Sequence, residues 1–440
     1  MDSISIFWFR RDLRLKDNTA LNEALSQDNK VLPLFIFDEE ILSDLPAHDA
    51  RVTFIYDCLF NIDLKLKKNN SSILCLKGNP FEIWKELLQK YSIKKVFVNK
   101  DYEPYARSRD AKIEKLLTSK GIEFLSYKDQ VTHEEHEVLK KNGTPYTVFT
   151  PYKNKWLEIY TPQSPADFPG YKHFLQKIFP FPPLQELGFN RSSINVKEYD
   201  LSQIETYQET RDFPSIDSTS YLSPHLRFGT VSIRSVISKL RPSNHVFMSE
   251  LIWREFFMQI LFQFPYVVTE NFKSKYGGIK WLNNQDDFKK WCEGNTGYPM
   301  VDAGMRQLNK TGYMHNRVRM ITAGFLCKHL LIDWRWGEAY FAKNLLDYEL
   351  SSNNGNWQWA AGTGCDAAPY FRIFNPMEQL KKFDPDLSYV KKWIPELKKS
   401  IYPEPMVEHK FARTRALERY KAGITNSPQY SLRMSSDSVK

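Results

Sequence analysis

The sequence has few cysteines and lacks the motifs of several common enzyme classes. Its five cysteines among 440 residues form no C-x-x-C pair and no paired framework, so we expect a reducing environment and no structural zinc. Gly-x-Ser-x-Gly is absent and no histidines have metal-ligand spacing, which argues against a serine hydrolase and a metalloenzyme. No apolar run is long enough to span a bilayer, and the first residues lack the basic region of a secretory leader. These absences predict a cytoplasmic protein without a metal or a membrane partner.

The glycine motifs that bind phosphate are also missing after the first predicted strand, residues 4–9. Neither Gly-x-Gly-x-x-Gly nor a Gly-Lys-Ser/Thr P-loop follows it, which disfavours nicotinamide dehydrogenases and P-loop enzymes. Residues 10–18 instead read Arg-Arg-Asp-Leu-Arg-Leu-Lys-Asp-Asn. Taken alone, this run of charge fits a solvated loop at the carboxyl edge of a sheet.

The order of apolar runs predicts two domains. In residues 1–130, short apolar runs alternate with helix-like segments, which predicts an α/β domain with a doubly wound, parallel, five-stranded sheet. Prolines punctuate residues 131–195, which we interpret as an interdomain connector over the surface. Residues 196–424 show helical periods and predict an all-α domain, whereas the Ser-rich residues 425–440 predict a disordered tail. Two of the predicted helices span residues 300–310, where Asp302 and Arg306 are spaced to pair, and residues 316–331.

The charge balance favours a polyanionic partner. The formal net charge is +9 and the aromatic content is 15%, so phosphate contacts and base stacking are both available. A basic but inert surface is the alternative.

Residues 347–376 combine aromatic rings with glycines and contain almost no long aliphatic side chains. Aromatic faces beside close-packed backbone are typical of a pocket for a flat molecule, although an aromatic core behind Gly-rich turns has the same composition. Two motifs stand out: Asn-Asn-Gly-Asn-Trp-Gln-Trp at 353–359 and Asp-Ala-Ala-Pro-Tyr-Phe-Arg-Ile-Phe-Asn-Pro at 366–376.

These two motifs, with residues 10–18, resemble the DNA photolyase and cryptochrome family, and most of all its microbial class I cyclobutane pyrimidine dimer photolyases. The resemblance implies an FAD-binding helical domain and deoxyribodipyrimidine photo-lyase activity, a carbon–carbon bond cleavage. It implies light-dependent DNA repair, in which photoexcited FADH⁻ transfers an electron to a flipped-out dimer. The implied partner is UV-damaged DNA, bound by a monomer that associates with the nucleoid when on DNA. The alternative is a cryptochrome-type blue-light photoreceptor without repair activity.

The resemblance also assigns residues to the flavin. Arg319 and Asp347 are expected as an ion pair beside the ring system, with the amide of Asn353 opposite flavin N5, a combination that favours a reduced, anionic flavin. The family has Asp where this chain has Glu349, so one extra methylene must be accommodated there. The residues matching FAD contacts are Tyr207, Thr219, Ser220, Tyr221, Leu222, Ser223, Asp347, Tyr348 and Glu349.

A second group matches the contacts with damaged DNA. Residues 250–256 look like one helix, with Glu250 and Trp253 on one face. By resemblance, Trp253 and Trp359 flank the dimer and Glu250 accepts a hydrogen bond from a base edge. The residues in this group are Arg211, Glu250, Trp253, Asn316, Arg317, Met320, Trp359 and Gln379.

The remaining matches concern electron transfer, lesion type and the antenna. Trp281, Trp334 and Trp357 match the family's relay of electrons from the surface to the flavin. The (6-4) photolyases have a His-His pair where this chain has His315 and Asn316, which argues against (6-4) lesions. In the antenna region, folate binders carry Asn and Glu where this chain has Tyr105 and Ala106, so the identity of any second chromophore stays open.

Overall fold

The structure is a computed structural model and describes residues 3–27, 29–397 and 399–425. The chain divides into two compact units, and each is built from several segments. The tail predicted for 425–440 lies outside the described residues except for Thr425, which ends a helix. The predicted domain limits at 130, 195 and 424 stay a prediction. The first unit contains residues 1–138, 156–199 and 221–243, and the second contains 139–155, 200–220 and those from 244 onwards.

The first unit contains a five-stranded sheet in the order β3-β2-β1-β4-β5, with every neighbouring pair parallel. Alternate residues of β1 enter two different cores, since Phe7 and Phe9 belong to one apolar cluster and Ile6 and Trp8 to another. Both faces of the sheet are therefore covered, and the predicted doubly wound α/β fold is confirmed. The strands are β1 Ile4–Phe9, β2 Lys30–Asp38, β3 Leu74–Gly78, β4 Ile93–Asn99 and β5 Glu123–Tyr127.

Side-chain caps fix the start of several helices of this unit. The side chains of Asn18, Asp49 and Asn79 each accept a hydrogen bond from a backbone N–H in the first turn of the following helix. Prolines stand at the first turn of α4 and α5, where no backbone N–H is needed. The helices up to residue 237 are α1 Thr19–Leu25, α2 Glu39–Leu42, α3 Ala50–Lys67, α4 Pro80–Lys90, α5 Pro104–Thr118, α6 Phe149–Ile159, α7 Tyr207–Thr210, α8 Leu222–Phe228 and α9 Ile233–Ile237.

The segment predicted as a connector, 131–195, does not lie only over the surface. It contains α6, which its prolines gave no reason to predict, and Phe174 forms a parallel bridge with Val31 of β2. The side chains of Phe174, Leu184 and Leu187 are buried in the core of the first unit. The apolar residues between the prolines are therefore part of that core.

The charged run 10–18 is buried, which contradicts the solvated loop. Arg14 donates from Nη2 to both carboxylate oxygens of Asp129, at 2.7 and 2.6 Å, and Arg234 pairs with the same carboxylate at 2.7 Å. Asp12 and Asn18 are also buried, and both contact the side chain of Asn99. Burial is tolerated because each of these polar groups has a charged or hydrogen-bonding partner.

The part of the second unit that the structure describes is helical, and the predicted all-α character of this region is confirmed. Its core holds the buried side chains of Trp291, Met305, Phe325 and Trp357. The predicted helix 316–331 changes from α to π-helical hydrogen bonding after Gly324, over Phe325–His329. The helices from residue 245 are α10 His245–Gln263, α11 Gln285–Glu293, α12 Pro299–Thr311, α13 Asn316–Gly324, α14 Trp334–Asn344, α15 Leu350–Ala361, α16 Pro376–Phe383, α17 Ser388–Trp393 and α18 His409–Thr425.

The ion pair predicted within α12 is wrong. The Asp302 carboxylate accepts hydrogen bonds from Thr296, from the Gly297 N–H and from the Tyr402 hydroxyl. Arg306 instead pairs with Glu396. Partners from other segments reach both charges and replace the local pair.

Candidate functional site

The aromatic and Gly-rich stretch, residues 347–376, is helical from Leu350 to Ala361. Residues 353–359 lie within α15, and a Cβ on Gly355 would come within 2.1 Å of the Phe257 ring on α10. Likewise, a Cβ on Gly337 of α14 would meet the Trp357 ring at 2.1 Å. The glycines therefore allow aromatic rings to pack directly against helix backbone.

One face of α15 borders a cavity of the second unit. Met320 and Trp359, both predicted to contact the lesion, line it together with Lys328, Arg372 and Phe374. The enclosed space is about 10 Å³, which is the room of about one water molecule, and the rest of the cavity is open to solvent. The structure thus brings together two predicted lesion residues with two cationic side chains and one further aromatic side chain.

The ion pair predicted between Arg319 and Asp347 is present. Arg319 Nη2 lies 2.9 Å from Asp347 Oδ2, and Arg319 Nε donates to the Met314 carbonyl at 2.8 Å. Asn353 is buried and donates from Nδ2 to the Glu338 carbonyl at 3.1 Å. Burial raises the pKa of Glu338 to about 6. A fixed guanidinium and a fixed amide fit an anionic, reduced isoalloxazine, and the position of these residues beside FAD stays a prediction.

Glu349 has a protein partner that the sequence did not indicate. Its buried carboxylate lies 3.2 Å from Arg254 Nε of α10, and Ser352 Oγ donates to it at 3.4 Å. The side chain of Glu349 is one methylene longer than that of Asp, and its carboxylate pairs with the Arg254 guanidinium. Tyr348, the preceding residue, packs against the main core of the second unit.

The segment 219–223, predicted to contact FAD, is divided between the two units after Ser220. Helix α8 starts at Leu222 directly after Tyr221, and α9 follows at Ile233. Tyr221 has a left-handed backbone conformation with φ of 51°, and its hydroxyl accepts from Lys197 Nζ at 2.7 Å. A left-handed conformation costs a non-glycine residue about 1–2 kcal/mol. Thr219 and Ser223 have exposed side chains.

Tyr207, predicted on the adenosine side, begins α7 in the second unit. Its ring makes an edge contact with Phe247 at 5.1 Å, and the Arg211 guanidinium lies 5.2 Å from the ring centroid. Burial raises the pKa of the Tyr207 hydroxyl, and the charge of Glu250 adds to the effect.

Trp253 on α10 has an aromatic partner that the sequence analysis missed. The rings of Phe149 and Trp253 stack with centroids 3.6 Å apart and planes at 8°. A base that stacked on Trp253 would have to use the face turned away from Phe149. Phe149 begins α6 within the proline-rich segment, where no periodicity or motif pointed to it.

Two predicted DNA-contacting arginines form ion pairs with carboxylates of the protein. Arg211 Nη1 lies 2.7 Å from Glu250 Oε1, and Arg317 Nη2 lies 2.5 Å from Asp212 Oδ1. All four side chains keep some exposure, between 19% and 39%. Of these residues, only Asp212 was not predicted, because an aspartate after an arginine is an ordinary surface feature. Asn316 is exposed at the start of α13, and Gln379 is partly buried on α16.

His315 caps α13 as a neutral imidazole. Its Nδ1 accepts from the Arg317 backbone N–H at 3.2 Å. Burial, together with the charges of Arg319 and Arg317, lowers the pKa of His315 to about 4, and the charge of Asp212 opposes this shift. Near neutral pH, therefore, positive charge on this side of the site comes from arginines.

Lys328 is a buried amine that the sequence analysis also missed. Its Nζ donates to the Arg372 carbonyl at 2.9 Å, from within the π-helical turn. Burial lowers the pKa of Lys328 to about 8. π-Helical turns are frequent at functional sites, but the sequence gives no signal for one.

The three tryptophans of the predicted relay all contact the main core of the second unit, with different exposure. Trp281 is partly exposed and makes an edge contact with Tyr420 at 5.9 Å. Trp334 is buried and donates from Nε1 to Asn271 at 2.9 Å, and Trp357 is buried against Phe341. One indole near solvent and two inside is the arrangement that a relay needs, and electron transfer along it stays a prediction.

In the first unit, the predicted antenna region is held by hydrogen bonds of the protein itself. The hydroxyl of Tyr105 donates to Asp38 Oδ2 at 2.6 Å, and Ala106 is buried. Asp38 lies at the carboxyl end of β2, the edge where parallel α/β sheets bind ligands. Burial and the hydrogen bond to Asp38 raise the pKa of Tyr105.

Comparison with known proteins gives a consistent result along the chain. Residues 5–170 match the DNA photolyase family, and residues 247–401 match the FAD binding domain of DNA photolyase. The chain is 36% identical over 437 residues to the deoxyribodipyrimidine photo-lyase of Synechococcus sp., covering 91% of this chain and 90% of that protein.

Solved structures agree with the sequence relatives. A class III photolyase from Agrobacterium tumefaciens has a TM-score of 0.88 and 34% identity, covering 96% of this chain and 98% of the other. An archaeal photolyase from Sulfolobus tokodaii with two FAD molecules has a TM-score of 0.83 and 35% identity, covering 95% and 99%.

A parallel α/β unit and a helical unit, matched along the chain by the two family models and by solved photolyases, define the class of the DNA photolyases. This chain belongs to the DNA photolyase family. The predictions of an FAD cofactor and of a photo-lyase enzyme are thereby confirmed, as is UV-damaged DNA as the partner of the family. Among the described residues, no helix is long and apolar enough to cross a membrane, and no group of three or more candidate ligands could hold a metal ion.

Proposed function

We propose that this protein splits cyclobutane pyrimidine dimers in DNA in a light-dependent reaction. The observation that carries the proposal is the cavity shared by Met320 and Trp359, bordered by the α15 helix that also holds Asn353. Asn353 is buried, which supports a flavin on the inner side of the site. The ion pairs of Arg211 and Arg317 are partly exposed, which supports DNA on the outer side.

The residues that would hold the flavin are Arg319, Asp347 and Asn353. Bound in its reduced state, FAD supplies the light-excited electron that opens the cyclobutane ring and then receives it back. The protein's role is to favour the anionic flavin with Arg319, and to exclude water from the flavin side through the buried Asn353 and Trp357. The tryptophans Trp281, Trp334 and Trp357 would restore the reduced state.

The dimer would leave the duplex to enter the site. A dimer has already lost part of its stacking and pairing, so its extrusion costs less than that of intact bases, which gives selectivity for damage. Trp253 and Trp359 would stack on the extruded bases and Glu250 would accept a hydrogen bond from a base edge. Glu250 must then exchange its present partner, Arg211, at least in part. Arg211, Asn316, Arg317 and Gln379 would contact the surrounding DNA.

The lesion and the photolyase class are part of this proposal. His315 followed by Asn316, in place of a His-His pair, supports cyclobutane dimers over (6-4) products. The similarity to a class III enzyme leaves class I membership a prediction. A second, antenna chromophore is also proposed without a chemical identity, since the Sulfolobus relative carries two FAD molecules.

The test is repair by the purified, FAD-loaded and chemically reduced protein. An oligonucleotide with one thymine dimer should regain intact thymines under blue light, as measured by chromatography of the digested DNA, and none in the dark. A matched oligonucleotide with a (6-4) product should remain unchanged. Flavin photoreduction without any dimer splitting would contradict the proposal and support the cryptochrome-type photoreceptor.

A further inference from the structure

We propose that Asp212 takes the place of a DNA phosphate in the free protein. Its carboxylate pairs with Arg317 and must release this arginine when DNA binds. The inference rests on the proposed function, since it assumes that Arg317 contacts DNA. It assigns to Asp212 a part in setting affinity for DNA, as a positioning residue that acts through Arg317.

The first argument is the state of the Arg317 guanidinium. Its Nη2 lies 2.5 Å from Asp212 Oδ1, whereas Nη1 has only the Met320 sulfur, at 3.8 Å. Its Nε is buried and meets no acceptor among the described atoms. An arginine offers five N–H donors in a planar fork, so this side chain is incompletely satisfied. The Nη1 donor, which has only a weak sulfur acceptor on a predicted lesion residue, is suited to an added anionic ligand.

The second argument is that the guanidinium is already oriented. The Arg317 guanidinium carbon lies 4.5 Å from the centroid of the Phe383 ring, and the residue belongs to the first turn of α13. Stacking on an aromatic ring fixes the plane of a guanidinium and leaves its edge free for a bidentate anion. Phosphate matches that edge as well as carboxylate does.

The third argument is the exposure of the present partner. The Asp212 side chain is 39% exposed and the Arg317 side chain 19%. Ion pairs at this exposure are weak, at about 0–1 kcal/mol, because solvent screens them. An incoming phosphate can therefore displace the Asp212 carboxylate, whereas a buried pair could not be exchanged in this way.

A consequence is a specific change in salt dependence. In the parent, the Arg317 contact releases a counterion from a DNA phosphate, but the freed Asp212 carboxylate gains one, so almost no net counterion is released. In Asp212→Asn, Arg317 starts unpaired and its phosphate contact adds one counterion release. The slope of log K against log salt should then become more negative by about 0.9 for duplex DNA. A purely structural role of Asp212 would not change this slope.

The experiment measures binding of dimer-containing duplex to the FAD-loaded protein over a range of salt concentrations. Asp212→Asn should tighten binding roughly two- to fivefold at low salt, and the gain should shrink as salt rises. Glu209→Gln is the matched control, because it also removes one negative charge and lies three residues before Asp212. The Glu209 side chain is exposed and has no ion pair among the described contacts. Its gain should be less than half that of Asp212→Asn, with an unchanged slope.

The decisive measurement is the double variant Arg317→Met/Asp212→Asn. If Asp212 acts through Arg317, removing its charge should have little effect once Arg317 is gone. Equal gains in the Arg317→Met and parent backgrounds would overturn the proposal and show that Asp212 only repels DNA through its charge. The proposed function fails separately, if the parent protein shows no preference for dimer-containing DNA and no repair.

Discussion

The arginines of the two units differ in how completely the protein satisfies them. In the first unit, the Arg14 side chain is 8% exposed and its partner Asp129 1%, and Arg14 also donates to the carbonyls of Asp17 and Gly229. In the second unit, Arg317 has one short contact, with a carboxylate that is 39% exposed. Arg14 therefore belongs to the folded framework, whereas Arg317 can change partners. Exposure and the number of filled donors distinguish the two roles, although both residues lie in charged sequence motifs.

The largest expected effect is on the stability of the first unit. Arg14→Met leaves the Asp129 carboxylate buried with one cation fewer, and breaking a buried pair costs about 3–5 kcal/mol. We expect a loss of this size in the free energy of unfolding, measured by denaturant titration with a probe in the first unit. Arg317→Met is the control and should lose about 1 kcal/mol or less, because its pair is partly exposed. Similar losses in the two variants would remove the distinction between the two kinds of arginine.

A second prediction extends the comparison from charges to aromatic rings. Trp253→Ala should weaken binding of dimer-containing DNA by about 1–3 kcal/mol, the value of one stacked base, or roughly 5- to 150-fold. Flavin occupancy should be unchanged, as measured by absorbance of the purified protein. Phe149→Leu keeps an apolar side chain against Trp253 and should have a smaller effect on binding. Loss of FAD in Trp253→Ala would show instead that the residue is structural.

The third prediction concerns a buried base in the second unit that lacks a counter-charge. Burial lowers the pKa of His329 to about 3, and its Nε2 shares a hydrogen bond with His409 Nδ1 at 2.9 Å. Because the folded-state pKa lies below the unfolded value of about 6.5, the stability from the neutral ring is present above pH 6.5 and is lost as pH falls towards 3.

At pH 5 the loss from His329 should be about 1–2 kcal/mol relative to pH 7, measured by thermal unfolding of the second unit. His329→Gln should flatten this dependence, even if it lowers stability at every pH. His48→Gln is the control for replacing a histidine elsewhere, since His48 is exposed in the first unit. An unchanged dependence in His329→Gln would exclude His329 as its source.

Of these changes, Trp281→Phe should have the smallest effect on stability, because Trp281 is partly exposed. Trp281→Phe should slow photoreduction of the oxidised flavin, followed by absorbance under blue light, and should spare repair by chemically reduced protein. Trp393→Phe is a matched control, because Trp393 packs against the same core and lies outside the predicted relay. Equal photoreduction rates in Trp281→Phe and the parent would exclude Trp281 from the relay.

Much of the architecture could be predicted from local patterns. The predicted five-stranded sheet is present and its first strand has the predicted bounds, because strands buried on both faces are short, continuously apolar runs. Helix α15 was harder to predict, since its glycines and asparagines have low helix propensity. Its packing on Phe257 and Trp357 overrides that propensity, and these contacts depend on residues distant in sequence.

Local patterns were enough to predict the α/β and helical parts, the family, and which residue types stand at the candidate site, since periodicity and motifs are properties of neighbouring residues. The partners of these residues depend on the folded chain: Phe149 on Trp253, Arg254 on Glu349, and Asp212 on Arg317, 105 residues apart. The pair predicted for Asp302 and Arg306 failed for the same reason, because charges one helical turn apart gain little from each other and partners from other segments satisfy them better.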